Sequence, residues 1–178
     1  MNYQLLRNGQ MLTIREAKHE DASMFLDYIS KVGAETDNLT FGEGEFGISE
    51  EEEANFIKSL AKSDNQLMVC AFLDGKLVGQ LVFRGGLRQR VRHTGEFGIT
   101  VLKEHWHKGV GSELINYLIT WARKSIIIRK INLRVRSDNH NAINLYKKYG
   151  FISEGAITRE FFINGKFFDS IHMGLEID

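Results

Sequence analysis

Along the chain, apolar positions alternate between two periods. From Glu20 to Val32, Ala22, Phe25, Ile29 and Val32 recur at helical spacing, with Glu20 and Asp21 in the first turn. A second helical run is expected from Ser49 to Ala61, capped by Ser49 and acidic at its start. Val110 to Ser125 is strongly amphipathic, with Val110, Leu114, Leu118 and Ala122 on one face. Ala142, Leu145, Tyr146 and Tyr149 mark a short fourth helix. Between these runs the period falls to two or the sequence becomes continuously apolar, which predicts strands. "YQLLRNGQMLTIREA" reads as a hairpin around Asn8-Gly9, "QLMVCAFLDGKLVGQLVFRG" as one around Asp74-Gly75, and "FISEGAITREFFINGKFFDSIHMGLEI" as one around Asn164-Gly165. "GEFGITVL" and "KINLRVRS" are further strands, and "GAETDNLTFGEGEFG" is a long glycine-rich loop. This order predicts an α/β (α+β) domain: a mixed sheet of about seven strands with about four helices on its two faces.

Length and composition narrow the picture. The 178 residues suggest one domain over 1–178, large enough to bury a core without disulfides. The single cysteine, Cys70, alternates with apolar residues and reads as core; a reducing, cytoplasmic location is expected. Lys+Arg and Asp+Glu both total 23, so no overall charge points to nucleic acid, and Arg84, Arg88, Arg90 and Arg92 read as a solvated inter-strand loop. The start "MNYQLLRNGQ" lacks the apolar run of a signal peptide, and no stretch reaches the length of a membrane span. The acidic run Glu50 to Glu53 reads as a solvated helix start.

Two glycine clusters are candidates for phosphate chemistry. Gly42, Gly44 and Gly47 match G-x-G-x-x-G, but no strand precedes them and the following helix opens on Glu50 to Glu53, which would repel a pyrophosphate. "HWHKGVGSELI" has the better context, with a strand before it and a helix after it. Its backbone N–H groups at a helix N-terminus suit a diphosphate, and Lys108 adds a cation. It is not a P-loop, and Leu114 stands where a Rossmann turn would need a third glycine. His105 and His107 lack a carboxylate partner at ligand spacing, so no metal is expected.

About thirty residues further on lies "RVRSDNHNAINLYKKYGF". Together the two segments resemble the GNAT superfamily of N-acetyltransferases. The family's cofactor motif Q/R-x-x-G-x-G/A reads Trp106-His107-Lys108-Gly109-Val110-Gly111, with Trp106 in place of Gln or Arg, a variant similar to the ribosomal-protein-type branch. The later motif N-x-x-A-x-x-L-Y-x-x-x-G-F is matched by Asn139, Ala142, Leu145, Tyr146, Gly150 and Phe151.

The resemblance implies transfer of an acetyl group from acetyl-CoA, as co-substrate, to a primary amine. It implies a V-shaped splay between the fourth and fifth core strands that admits the pantetheine arm. The backbone of His107, Lys108, Gly109, Val110 and Gly111, with Ser112 in the first helical turn, would hold the pyrophosphate. The N–H groups around Ile99, Thr100 and Val101 would meet the thioester oxygen and pantetheine amides, and Asn139 would bond the pantetheine arm or simply cap its helix. Glu96 is the candidate base and Tyr146 the candidate acid toward the thiolate, while Tyr149 looks structural. Strand alternation places Glu96, Gly98 and Thr100 on one face and Phe97, Ile99 and Val101 on the other. Glu35, Asp37 and Glu43, in the loop where the acceptor usually enters, would favour a cationic amine. Acetylation of a peptide N-terminus and non-catalytic acyl-CoA sensing are the alternatives. A homodimer through the sheet edge or last hairpin is a further expectation; neither nucleic acid nor membrane is expected as a partner.

Overall fold

The computed structural model describes residues 2–6 and 9–178. In chain order the elements are β1 (Asn2–Leu5), β2 (Met11–Glu16), α1 (Ala22–Glu35), α2 (Glu50–Ala61), β3 (Gln66–Leu73), β4 (Lys76–Gly85), β5 (Thr94–Val101), α3 (Val110–Lys124), β6 (Lys130–Arg136), α4 (His140–Lys148), β7 (Ile152–Ile163) and β8 (Lys166–Glu176). Short 3₁₀ turns at His19–Asp21 and Lys103–His105 precede α1 and the glycine turn. The strands form one sheet in the order β1-β2-β3-β4-β5-β6-β8-β7. All neighbours are antiparallel except β5 and β6. The sheet therefore has eight strands against the seven expected, with β1 lying along its outer edge. The first hairpin forms with Gly9 at φ +82°; Asn8 of its turn lies outside the described residues.

Neighbouring residues of β4 show how the helices divide. A Cβ on Gly79 would meet Val110 and Leu114 of α3. The next residue, Gln80, points to the opposite face; there its cross-strand neighbour Thr100 shares a hydrogen bond with Tyr28 of α1. The ring of Phe97 packs on Tyr146, and Leu145 stands next to Gly111, so α4 joins α3 on the first face. Helices α1 and α2 cover the second face, α2 packing against α1 and β3. Ser49 caps α2 as the sequence suggests: its Oγ accepts the Glu52 amide at 3.2 Å, while Glu52 Oε2 accepts the Ser49 amide at 2.8 Å.

One local departure from regular pairing shapes everything that follows. Strands β5 and β6 pair only from Thr94–Lys130 to Glu96–Asn132. Beyond that point β5 runs on to Val101 and β6 to Arg136, unpaired with each other. Strand β6 stays bonded to β8 as far as Arg136–Ser170, so it is β5 that is left with an open edge. Counted from β2, these are the fourth and fifth strands. A second irregularity, the bulge between Ile157 and Phe161, puts Arg159 at φ +56° and turns Glu160 toward Ser170 and Arg134.

Candidate active site

A cavity of about 1060 Å³ opens at the splay. At one end it meets the turn from β5 into α3. Gly109 is the residue before α3 and adopts φ +100°, a backbone conformation that glycine adopts without strain. No side chain caps this helix, so the first-turn amides of Val110, Gly111 and Ser112 are left for an external acceptor. His107, also at positive φ, and Lys108 line the same end, and Lys148 of α4 adds a second ammonium. Trp106 holds the turn down: its indole Nε1 donates to Val101 O at 2.7 Å. A residue that departs from the usual motif thus ties the turn to the end of β5.

Hydrogen-bond register shows which β5 groups face the splay. Leu102 N donates to Val78 O at 3.0 Å, and Gly86 N to Thr94 O at 2.9 Å. Even-numbered residues of β5 therefore direct their backbone groups to β4, and odd-numbered ones to the β6 side. Ile99 and Val101 present unpaired N–H groups to the opening, because β6 has already diverged. Thr100 differs from the expectation. Its backbone faces β4, and its hydroxyl is buried against Tyr28 at 2.9 Å. An extended ligand could bond along this edge as a neighbouring strand would.

The other end of the cavity is acidic. Glu96 lies on the α1/α2 face, and Arg134 Nε donates to its Oε1 at 2.9 Å. The same guanidinium donates to Glu160 Oε1 at 2.6 Å, and Glu160 also accepts from the fully buried Ser170 hydroxyl. That hydroxyl, with Arg134, holds the Glu160 carboxyl below its usual range. Oε2 of Glu96 has no hydrogen-bond partner among the described residues. Two residues on, Gly98 leaves open space: a Cβ there would meet nothing within 4 Å. Arg84, opposite Glu96 on β4, lays its guanidinium over the Phe56 ring at 4.9 Å. Glu53, from the first turn of α2, reaches the same end.

Tyr146 borders the cavity from α4. Its ring packs edge-on against Phe97 and Phe151, with centroids 5.9 and 6.1 Å away. Burial pushes the phenol well above its ordinary pKa, so it stays protonated. Its hydroxyl makes no hydrogen bond to a described side chain. Tyr149 differs: its hydroxyl donates to Ser112 O at 3.0 Å and braces α4 against the first turn of α3. Asn139 caps α4, its Oδ1 accepting the Ala142 amide at 3.2 Å, and it also lines the cavity.

The model of the acetyltransferase (GNAT) family matches residues 34–151, two thirds of the chain, a span that holds Glu96, the glycine turn and Tyr146 but not Glu160 or Ser170. This chain belongs to the GNAT acetyltransferase family. The crystal structure of a GNAT-family acetyltransferase from Streptococcus pneumoniae superposes with a TM-score of 0.91 at 38% identity, covering 94% of this chain and 99% of that one. Among curated relatives, the L-amino acid N-acetyltransferase AaaT of Escherichia coli is 36% identical over 108 residues, 61% of this chain and 65% of its own. A spermidine N(1)-acetyltransferase of Vibrio cholerae is 37% identical over 79 residues, 44% of this chain and 46% of its own. The matches thus span less than two thirds of those two relatives. The yncA protein of Salmonella typhimurium, solved with acetyl-CoA, shares the fold with a TM-score of 0.82 at 20% identity.

In this GNAT protein the loop after α1 contributes differently from what its composition suggests. Thr36, Asn38, Leu39, Thr40, Phe41 and Phe46 line the cavity, whereas Glu35, Asp37 and Glu43 do not. Glu35 Oε2 instead accepts the Lys103 amide at 2.8 Å, fixing the 3₁₀ turn below the glycines. Within the loop, the Gly42 amide is taken by Glu45 Oε2 at 2.7 Å. Of the arginine cluster, Arg88 and Arg90 are exposed and Arg92 pairs with Asp64 at 2.8 Å, while Arg84 belongs to β4 and the cavity. Cys70 is fully buried, and burial pushes its thiol up to about 12.

Glu53, read from sequence as part of a solvated helix start, is only 2% exposed. Its spacing was the available signal, because it falls on the buried stripe with Ile57 and Leu60. Burial pushes its carboxyl from 4.5 to about 7, against a smaller opposing pull from Arg84. The folded state therefore binds this proton more tightly than the unfolded chain. Its contribution to stability is full below pH 4.5 and is lost as pH rises toward 7. A shift of that size corresponds to roughly 3 kcal/mol. Urea denaturation at pH 5 to 8 should show Glu53→Gln flattening this part of the profile and exceeding the wild type in stability at pH 8. Parallel profiles would mean that the carboxyl is solvated.

Proposed function

We propose that the chain transfers the acetyl group of acetyl-CoA to a primary nitrogen of a small cationic amine. One observation carries the reading: a single cavity joins the uncapped amides of α3 and the open edge of β5 to an acidic chamber beside Glu96. The chamber is bounded by the 36–46 loop, by α2 and by β7, which suits a small acceptor better than a peptide. The residues fit the cofactor. The amides of Val110, Gly111 and Ser112 with Lys108 and His107 would hold the diphosphate, and Ile99 and Val101 would bond the pantetheine arm. Asn139 keeps its amide group for that arm, since only its oxygen is used in capping.

Acetyl-CoA supplies an activated thioester. The chain must supply a neutral amine, since an alkyl ammonium with pKa near ~10 is only about 0.1% neutral at pH 7, a deficit of roughly 4 kcal/mol. Glu96 accepts the ammonium proton, directly or through a water, with its unengaged oxygen. The N–H of Ile99 or Val101 stabilises the charge that develops on the carbonyl oxygen as nitrogen bonds to carbon and the C–S bond breaks. Tyr146 donates a hydrogen bond to the departing sulfur, and the second proton leaves the nitrogen as the amide forms and reaches the thiolate through water. The raised pKa of Tyr146 makes full proton transfer to a thiolate near roughly 8.5 uphill, so it acts as a donor more than as an acid.

Thiol release from acetyl-CoA across a panel of diamines, monoamines, amino acids and short peptides tests the activity directly; release with peptides alone would reverse the acceptor class. Binding at the glycine turn has its own test. A Cβ on Gly111, which lines the cavity, would sit 3.5 Å from Leu145, so one carbon is accommodated, but the branches of Val would crowd this end of the cavity. Gly111→Val should weaken coenzyme A binding by roughly tenfold or more, through blocked backbone approach, while folding is largely kept. Calorimetry on the folded variant checks this, and unchanged affinity would remove the turn from the binding site.

A further inference from the structure

Two acceptor oxygens beside the cavity have no donor. Glu53 Oε1 and Gln80 Oε1 are both buried without a hydrogen-bond partner. Their residues are 2% and 7% exposed, and both line the chamber. They reach it from separate elements, Glu53 from α2 and Gln80 from the middle of β4. A buried acceptor without a donor is unfavourable, and a carboxylate more so, unless a ligand supplies the missing hydrogens. Two such oxygens in one chamber ask for a ligand rich in N–H.

Their place in the sheet gives the length of that ligand. Gln80 pairs with Thr100 on β5 and with Cys70 on β3. Helix α2 packs on β3, its Phe56 lies under the Arg84 guanidinium of β4, and Arg84 pulls on the Glu53 carboxyl, which places that carboxyl over those two strands. The open edge of β5, where the acetyl group would lie, is one to two strand spacings away, about 5–10 Å. Charge agrees: Arg84 and Arg134 balance Glu96 and Glu160, so Glu53, once its proton is displaced, is the carboxylate left for a ligand cation. Arg84 lies on the Phe56 ring and gives no hydrogen bond to Glu53 Oε1.

We propose that Glu53 and Gln80 select acceptors that carry a second, protonated nitrogen, whose N–H groups satisfy both buried oxygens while the first nitrogen meets the acetyl group at the open edge of β5 and reaches Glu96 through a water. This rests on the acetyltransferase reading above. An α,ω-diamine with roughly three to five methylenes spans the distance. Burial, which raises the proton affinity of Glu53 in the free protein, would be offset by the ligand's charge on binding. An acceptor with a carboxylate at this end would leave both oxygens unsatisfied.

The test compares 1,4-diaminobutane with n-butylamine on the full chain, wild type and Glu53→Gln, with Gln80→Leu as a second variant. The wild type should prefer the diamine in kcat/KM. That preference should fall about tenfold or more in Glu53→Gln, mainly through the KM of the diamine, and by a smaller factor in Gln80→Leu. Calorimetry of 1,4-diaminobutane binding in the presence of coenzyme A reads the same site without turnover. If no thiol is released but the diamine binds wild type and not Glu53→Gln, the transfer reading fails and the selectivity assignment stands. The assignment is overturned by equal preference in wild type and both variants, by a wild type that favours an α-amino acid over the diamine, or by an equal drop in kcat for both amines. That last result would make Glu53 a base. Circular dichroism and thermal melts establish that each variant is folded.

Discussion

Glu96→Gln is expected to lower turnover by roughly 10²–10⁴-fold at neutral pH, the usual weight of a general base. The amide keeps an oxygen for Arg134 Nε, now 2.9 Å from Glu96 Oε1, and Arg134 remains paired with Glu160 at 2.6 Å. The side chain should therefore stay in place, and acetyl-CoA affinity should hardly change, because the glycine turn lies at the far end of the cavity. The loss should shrink as pH rises toward the ammonium pKa near ~10, where more acceptor is neutral without help. Turnover measured from pH 6.5 to 9.5 on both proteins checks this. A loss of constant size would show that Glu96 positions the acceptor through its pairing with Arg134, and no loss would move proton removal to another group or to water.

Tyr146→Phe is expected to lower turnover by roughly 10–100-fold, equivalent to about 1.4–2.7 kcal/mol in the transition state. The penalty is smaller than for Glu96 because a coenzyme A thiolate, with pKa near roughly 8.5, is a fair leaving group unaided. The ring is held by Phe97 and Phe151, and the hydroxyl has no side-chain partner to lose. The melting temperature should therefore move little. Coenzyme A affinity should also hold, the loss falling on kcat. A fall of many degrees in melting temperature with proportional loss of activity would make Tyr146 a core residue alone, and unchanged turnover under rate-limiting chemistry would show that the sulfur leaves without it.

Much of this site could be read from neighbouring residues. The glycine turn is a local event, a strand, a positive φ at Gly109 and a helix without a side-chain cap, and all three lie within a few residues of one another. Alternation along β5 placed Glu96 and Gly98 together on one face for the same reason. Thr100 shares that face, but its backbone points to β4 rather than the splay, because the direction of a strand's N–H groups depends on which neighbour it pairs with. The acidic loop shows the limit of composition. Glu35 spends its carboxylate on the Lys103 amide, 68 residues away, and the loop turns its phenylalanines inward instead.

By itself, then, the sequence determined the elements, their order and the glycine turn that opens α3, since helical and strand periods, hairpin turns and helix N-termini are set by residues close in the chain. Only the tertiary structure decided that β5 and β6 part after Glu96–Asn132, that Arg134 and Glu160 flank Glu96, and that Glu53 is buried while Glu50 and Glu51 remain in water. Each of these depends on what stands opposite a side chain. For Glu53 that was set by the packing of α2 against α1 and β3, which turned one carboxylate of an acidic run into the chamber.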